Sequence, residues 1–395
     1  MTKDLTKLWA GGMRRLLAIQ NRAARAALRE AGQNAPQSHA LWRATQAAAT
    51  QVAEAARTAA APAAPHTVTP PRESRVGPRA AAWAAGEWRR GEHAAPAAPQ
   101  RALSYGLYLP AGYDDTAGLP LVVMLHGCKQ SMDSFAEGTR MNLLADRHGF
   151  AVLYPEQSGL AHPHQCWHWY DAREEAGGGE AAAVVSLVDT LVDEYGFDGS
   201  RVYLAGLSAG AGLAALLAVR APERFAAVAL HSGPAFGEAR SGVTALDVMR
   251  RGLHHDPVEL LERQLGGEAH PGMPAIVVQG DQDAVVAPVN AEQLTVQFLR
   301  LNGLADAHGV RPDVATREAA RDGHVVQDYA RRGASVVRLC RVADLDHAWS
   351  GGDDAVPFHS ATGPDASAMI WNFFEGHRRA AANEAFSGKL AQGAR

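Results

Sequence analysis

From Leu103 to His377 the chain alternates short apolar runs with longer amphipathic ones. Residues 121–125, 151–154, 202–205, 227–230 and 275–278 are apolar with no polar alternation. Strands buried on both faces read this way, as in a parallel sheet covered by helices. Runs at 105–109 and 336–341 complete the predicted strands. Helices are predicted over 134–148, 180–195, 209–219, 288–301 and 364–377. Strands alternating with helices predict an α/β class with a mostly parallel central sheet flanked by helices. Residues 237–272 have a weaker pattern and are expected to form a cap or rim over the site. Residues 379–395 are expected to be a loose tail.

Residues 1–60 differ from this. They are rich in Ala and Arg and predict an amphipathic helical extension. If residues 5–28 form one helix, Leu5, Leu8, Trp9, Met13, Leu16, Leu17, Ala24 and Leu28 fall on one side. Lys3, Lys7, Arg14, Arg15, Arg22, Arg25 and Arg29 fall on the other. Two uses fit such a helix. It packs on the main domain or on itself, or it adsorbs to an anionic membrane or a hydrophobic particle. Residues 61–100 carry many Pro and Ala and predict a semi-rigid linker. The catalytic domain is then expected over 101–378.

Net charge is −4, so no general affinity for nucleic acid is expected. No apolar run is long enough to span a bilayer. Leu16-Leu17-Ala18-Ile19 is soon broken by Gln20, Asn21 and Arg22, so no secretory leader is expected here. Three cysteines, Cys128, Cys166 and Cys340, do not make a disulfide scaffold, although they leave room for one bridge.

The sharpest local signal is Gly206-Leu207-Ser208-Ala209-Gly210, between the apolar run at 202–205 and the helix-like run that follows. Gly-x-Ser-x-Gly in a strand–turn–helix setting is the nucleophile elbow of an α/β-hydrolase. The turn is so sharp that the serine is strained and its flanks nearly touch. Small residues are needed there, and Gly206, Ala209, Gly210 and Ala211 supply them.

A serine hydroxyl needs a base, and the base needs an orienting carboxylate. In this fold the expected chain order is Ser, then Asp or Glu, then His. The run at 275–278 leads into Gln279-Gly280-Asp281-Gln282-Asp283. Asp283 is the expected acid and Asp281 the alternative. Both also fit as caps of the helix that begins near Pro288. His347 follows the last long strand and precedes the last helix, where the base belongs. Asp346 is its neighbour in sequence and is read as local electrostatics. Oxyanion donors are expected from the N–H of Ala209 and, in His126-Gly127-Cys128-Lys129-Gln130, from the N–H of Cys128.

Several ordered segments carry a wider resemblance. They are residues 107–113, 125–130, 154–157, 166–170 and 201–210, then His347-Ala348-Trp349-Ser350-Gly351-Gly352 and 363–366. Together they resemble the poly(3-hydroxybutyrate) depolymerase-like esterase family, of the extracellular catalytic-domain type, over roughly residues 100–378. The resemblance implies an α/β-hydrolase fold and a serine carboxylic-ester hydrolase with the triad Ser208, Asp283 and His347. It implies attack on short-chain polyhydroxyalkanoates through an acyl-enzyme, and an extracellular setting. It also implies a Cys128–Cys166 disulfide bracing the oxyanion loop, with Cys340 unpaired. The chain departs from the family at Gln279, where His is usual, and in Cys166-Trp167-His168-Trp169-Tyr170, where Cys-Trp-Asn-Trp-Phe is usual.

His162, His164, Cys166 and His168 alternate and could face one side of a strand, as metal ligands do. Pro163 spoils the strand, and same-face neighbours on one strand rarely converge on one ion, so no metal site is expected. The ester mechanism needs no cofactor. Trp167, Trp169 and Trp349 are expected either to wall an acyl or polymer chain or to pack in the core. Two rivals remain. One is a feruloyl or acetylxylan esterase with the same triad. The other is a granule-surface protein whose hydrolase domain is vestigial, which would place it in the cytoplasm.

Overall fold

The structure is a computed structural model describing residues 84–94, 102–114, 118–170, 177–306 and 309–379. The amphipathic helix and the rest of the 1–60 extension lie outside the described residues, as do 61–83, 95–101 and 380–395. In chain order the elements begin with β1 (Glu87–Ala94), β2 (Ala102–Leu109) and β3 (Leu121–Leu125). Next come α1 (Met132–Thr139), α2 (Met141–His148), β4 (Ala151–Glu156) and α3 (Gly177–Tyr195). The middle of the fold is β5 (Val202–Leu207), α4 (Ala209–Arg220), β6 (Ala227–His231), α5 (Gly242–Arg251), α6 (Pro257–Leu265), β7 (Ala275–Gly280) and α7 (Val289–Leu301). A small pair, β8 (Ala305–Asp306) and β9 (Gly309–Val310), leads into β10 (Ala315–Arg321), β11 (His324–Arg331) and β12 (Ala334–Val342). The chain then adds β13 (Trp349–Ser350), β14 (His359–Ser360) and α8 (Ala366–Phe374).

Among the described residues the main sheet has the order β1-β2-β4-β3-β5-β6-β7-β12-β11-β10. The centre, from β4 to β12, is parallel, and both margins are antiparallel. β3 shows why its composition has no polar alternation. Leu121, Val123 and Leu125 point into a core shared with α3, α4 and α7. Val122 and Met124 point into the opposite core, shared with α1, α2 and α8. All five are fully buried, and each such side chain contributes about 1.5–3 kcal/mol of burial energy. None of the described helices is long and apolar enough to cross a membrane.

The elements differ from the sequence expectation in four places. The linker expected over 61–100 contains β1, which pairs antiparallel with β2 in the register Glu87↔Leu109 to Ala94↔Ala102. Trp88 packs against the Tyr154 ring at 5.4 Å, and the Pro/Ala bias on either side hides this strand. The helix expected over 134–148 breaks at Arg140, which adopts φ 55° between α1 and α2. Arg140 pairs with Asp353 at 3.3 Å, and Asp353 N–H donates to the Gly138 carbonyl at 2.9 Å. The expected irregular rim at 237–272 holds two capped helices. Ser241 caps α5, and Asp256 caps α6 ahead of Pro257. β10 is almost wholly exposed and β11 is half-buried, so hydrophobic alternation does not mark their hairpin.

Candidate active site

The parallel centre of the sheet places the expected residues at the carboxyl ends of neighbouring strands. Ser208 follows β5, Asp283 follows β7, and His347 lies beyond β12. Between the first two lies β6, whose last residue is His231.

Ser208 has φ 58° and ψ −120° at the start of α4. That backbone costs an ordinary residue about 1–3 kcal/mol, and the flanks hold it in place. The Ser208 N–H donates to the His231 carbonyl, and the Ser208 carbonyl accepts from Gly212, both at 3.0 Å. A Cβ on Gly206 would overlap the Gly210 backbone, and a Cβ on Gly210 would overlap the Leu125 carbonyl. The elbow therefore needs glycine at both places. Ala209 is the first residue of α4, and its N–H lies in the first turn, where no intrahelical partner exists.

His347 Nδ1 bonds Asp283 Oδ2 at 2.8 Å, with both residues buried. The Oδ1 atom of Asp283 accepts from the N–H groups of Val285 and Val286, each at 2.9 Å. Burial pushes the Asp283 carboxyl up. The adjacent His347 ring and these N–H donors outweigh it and hold the group below the usual carboxylate range. Asp283 is thus ionised at neutral pH and fixes His347 with its Nε2 turned away from the carboxylate. The alternative acid, Asp281, is exposed and accepts instead from the Asp344 N–H at 2.9 Å. Asp346 is also exposed, apart from the buried pair.

The loop expected to supply the oxyanion donor lies against the elbow. A Cβ on Gly127 would sit 3.4 Å from Ser208 Cβ, and Cys128 is the next residue. Cys128 and Cys166 form a disulfide with Cα atoms 4.3 Å apart. Lys129 N–H donates to the His164 carbonyl at 2.7 Å. Trp167 Nε1–H donates to the His126 carbonyl at 3.0 Å. Buried His126 receives the Gln157 N–H on Nε2 at 3.0 Å and donates from Nδ1 to the Gly127 carbonyl at 2.8 Å. Burial lowers its pKa to about 4, so it stays neutral and keeps this tautomer near neutral pH. The loop is therefore tied on both sides of Cys128 to the segment 157–168.

Of the two uses expected for the tryptophans, the structure favours core packing. Trp167, Trp169 and Trp349 are all buried. Trp167 lies under the oxyanion loop, 5.4 Å from the His126 ring. Trp169 packs against Gly212, where a Cβ would lie 2.6 Å from its ring. Trp349 stacks on His231 at 5.0 Å and donates to Ser367 Oγ at 3.1 Å. These rings support the site from below, because their size is satisfied by core contacts. Among the described residues no group of His, Cys, Asp or Glu is arranged to hold a metal ion. His168 instead bonds Glu180 through Nδ1 at 2.6 Å.

Three supporting residues escaped the sequence reading. His231 accepts the Ser350 N–H on Nε2 at 3.1 Å, linking the nucleophile strand to the loop that carries His347. Glu180 receives Gln157 and His168 together. Gln279 donates from Nε2 to Asp283 Oδ2 at 3.2 Å and to the Val286 carbonyl at 3.1 Å. Only Gln279 left a signal, as a departure from the residue usual at that position.

Comparison with known proteins places this geometry. The family described as esterase PHB depolymerase matches residues 103–322. The chain is similar to poly(3-hydroxyalkanoate) depolymerase C of Paucimonas lemoignei, 31% identical over 212 residues, covering 53% of this chain and 50% of that protein. It is also similar to feruloyl esterase B of Thermothelomyces thermophilus, 28% identical over 240 residues, covering 58% of this chain and 81% of that protein. The match thus spans only half the length of the first relative. Among solved structures, an acetyl xylan esterase from Aspergillus awamori superposes with a TM-score of 0.57 at 18% identity, covering 74% of this chain and 100% of that one. That likeness shows the α/β-hydrolase fold. Ser208 and Asp283 lie within the family match, and His347 is joined to them by its bond to Asp283. With more than half of its residues inside that match, the chain belongs to the PHB-depolymerase esterase family.

Proposed function

We propose that this protein is a serine ester hydrolase that depolymerises short-chain polyhydroxyalkanoates, poly(3-hydroxybutyrate) foremost. The observation that carries the chemistry is the strained Ser208 on the same strand row as the His347–Asp283 pair. Ser208 Oγ attacks the ester carbonyl and passes its proton to His347 Nε2. Asp283 holds the ring and stabilises the imidazolium. The N–H groups of Ala209 and Cys128 receive the oxyanion, each contributing about 3 kcal/mol. As the tetrahedral species collapses, the C–O bond breaks and His347 protonates the leaving alkoxide. Water, activated by the same ring, then releases the acid from Ser208. Family membership and the depolymerase relative support the polyester substrate. The Cys128–Cys166 bridge supports action outside the cytoplasm, in an oxidising compartment.

A second reading has its own support. The feruloyl esterase relative is matched over most of its length, and the buried tryptophans offer no polymer track at the surface. Release of soluble 3-hydroxybutyrate from amorphous polymer, set beside release of ferulate and acetate from plant polysaccharide esters, separates the two. The depolymerase reading predicts 3-hydroxybutyrate release that Ser208→Ala abolishes. Cleavage of the polysaccharide esters with the polymer untouched would overturn it.

A further inference from the structure

The acid of the proposed triad has an unusual amount of support. Asp283 Oδ1 is fixed by two backbone N–H groups. Its Oδ2, the atom that holds His347, has a second donor in the Gln279 side chain at 3.2 Å. The two N–H hydrogens of the Gln279 amide also reach the Val286 carbonyl at 3.1 Å and the Gly280 carbonyl at 3.2 Å, one of them shared between two acceptors. It therefore spans the turn that displays Asp283. Gln279 is buried at 2% exposure. Its Oε1 is buried without a partner among the described residues. The amide orientation follows from this. Reversing it would place Oε1 against three oxygen acceptors and lose every bond the side chain makes. A buried acceptor left unmatched is costly, and here it accompanies a donor aimed at the acid.

We propose that Gln279 is a positioning residue of the triad, holding Asp283 Oδ2 for His347 with a donor that does not titrate. This rests on reading Ser208, His347 and Asp283 as the catalytic set. The amide draws electron density from the oxygen that faces the imidazole. Without that donor, Asp283 attracts the protonated ring more strongly, and more alkaline pH is needed to free the base. A brace that only held the turn would lower activity equally at every pH.

The test follows kcat and KM on a short-chain nitrophenyl ester from pH 5 to 9. It compares wild type, Gln279→Met, Gln279→Glu and Gln279→His, with folding checked by circular dichroism. In Gln279→Met, kcat falls about tenfold with KM little changed. The acid limb of kcat/KM moves up by about half a pH unit or more. Gln279→Glu moves the limb less than Gln279→Met, because a buried carboxyl beside the Asp283 carboxylate stays protonated and returns a donor to the same oxygen. Gln279→His returns an N–H to this place and recovers most of the rate. An unmoved acid limb in Gln279→Met overturns the proposal, and so does a folded Gln279→His as slow as Gln279→Met. Ser208→Ala is measured alongside. If it retains activity, the triad itself fails, which is distinguishable from a failure at Gln279 alone.

Discussion

Replacing both bridge cysteines, as Cys128→Ala with Cys166→Ala, tests what the disulfide contributes. The bridge closes a loop of sequence separation 38. The loop-closure relation gives about 4 kcal/mol of lost stability at 25 °C for that length. In a domain of this size the loss lowers the melting temperature by roughly 6–8 °C. Catalysis should suffer less. The proposed oxyanion donor is the backbone N–H of Cys128, which alanine keeps, and three hydrogen bonds still tie the loop to 157–168. They are Lys129 to His164, Trp167 to His126, and Gln157 to His126. Removing one oxyanion donor outright costs about 100-fold or more in kcat. The variant should therefore lose less than about 100-fold. Thermal melts and nitrophenyl ester kinetics, with and without a reductant on the wild type, supply both numbers. A melting shift under 2 °C, or abolished activity in a folded variant, would refute the reasoning.

Asp283→Asn should keep the fold and lower kcat by roughly 10⁴, because the amide cannot stabilise the imidazolium; steady-state kinetics read this, and a loss under tenfold would remove Asp283 from the mechanism. Gly210→Ala should be inactive and destabilised by about 1–3 kcal/mol or more, since its Cβ meets the Leu125 carbonyl; urea unfolding measures the cost, and wild-type stability would show that the contact relaxes freely. Thiol titration should find no reactive thiol in the native protein and one after denaturation without reductant, because burial pushes Cys340 up to about 12 while the other two cysteines are bridged; three thiols would contradict the bridge. Burial holds His126, His231 and His359 at pKa values of about 4, 3 and 4. Their folded pKa values lie below the unfolded value near 6.5, so their full stability is present above about pH 6.5 and is lost as pH falls toward 4. Urea unfolding should show stability falling steadily as pH drops below about 6.5; stability flat from pH 6.5 to 5 would refute it.

The proposed catalytic edge was legible because such chemistry demands particular residues at particular places. Gly206 and Gly210 are needed where backbones nearly touch. The all-apolar runs of β3, β5, β6 and β7 announce a sheet covered on both faces. What stayed hidden has physical reasons. β10 carries Arg317, Glu318 and Arg321 with both faces exposed, so no hydrophobic period marks it. Its turn at Asp322-Gly323 and the next at Arg332-Gly333, with φ 53° and 84°, were the available signals. β1 pairs with the next strand, β2, but the Pro/Ala bias around it masks the strand pattern. The tryptophans misled because an aromatic beside a catalytic motif has the same sequence whether it lines a pocket or supports one. Only burial separates the two. His231 acts through a side-chain bond to a residue 119 positions away, and Gln279 through the shape of the turn after β7, and one sequence leaves both open.

The most direct test of the central claim is to trap the acyl-enzyme. The protein is mixed with excess short-chain nitrophenyl ester, quenched in acid within the first turnovers, digested, and read by mass spectrometry. The prediction is one acyl group per chain, carried on Ser208, with a matching burst of nitrophenol and neither signal in Ser208→Ala. An adduct on another residue, or turnover by Ser208→Ala at the wild-type rate, would contradict it.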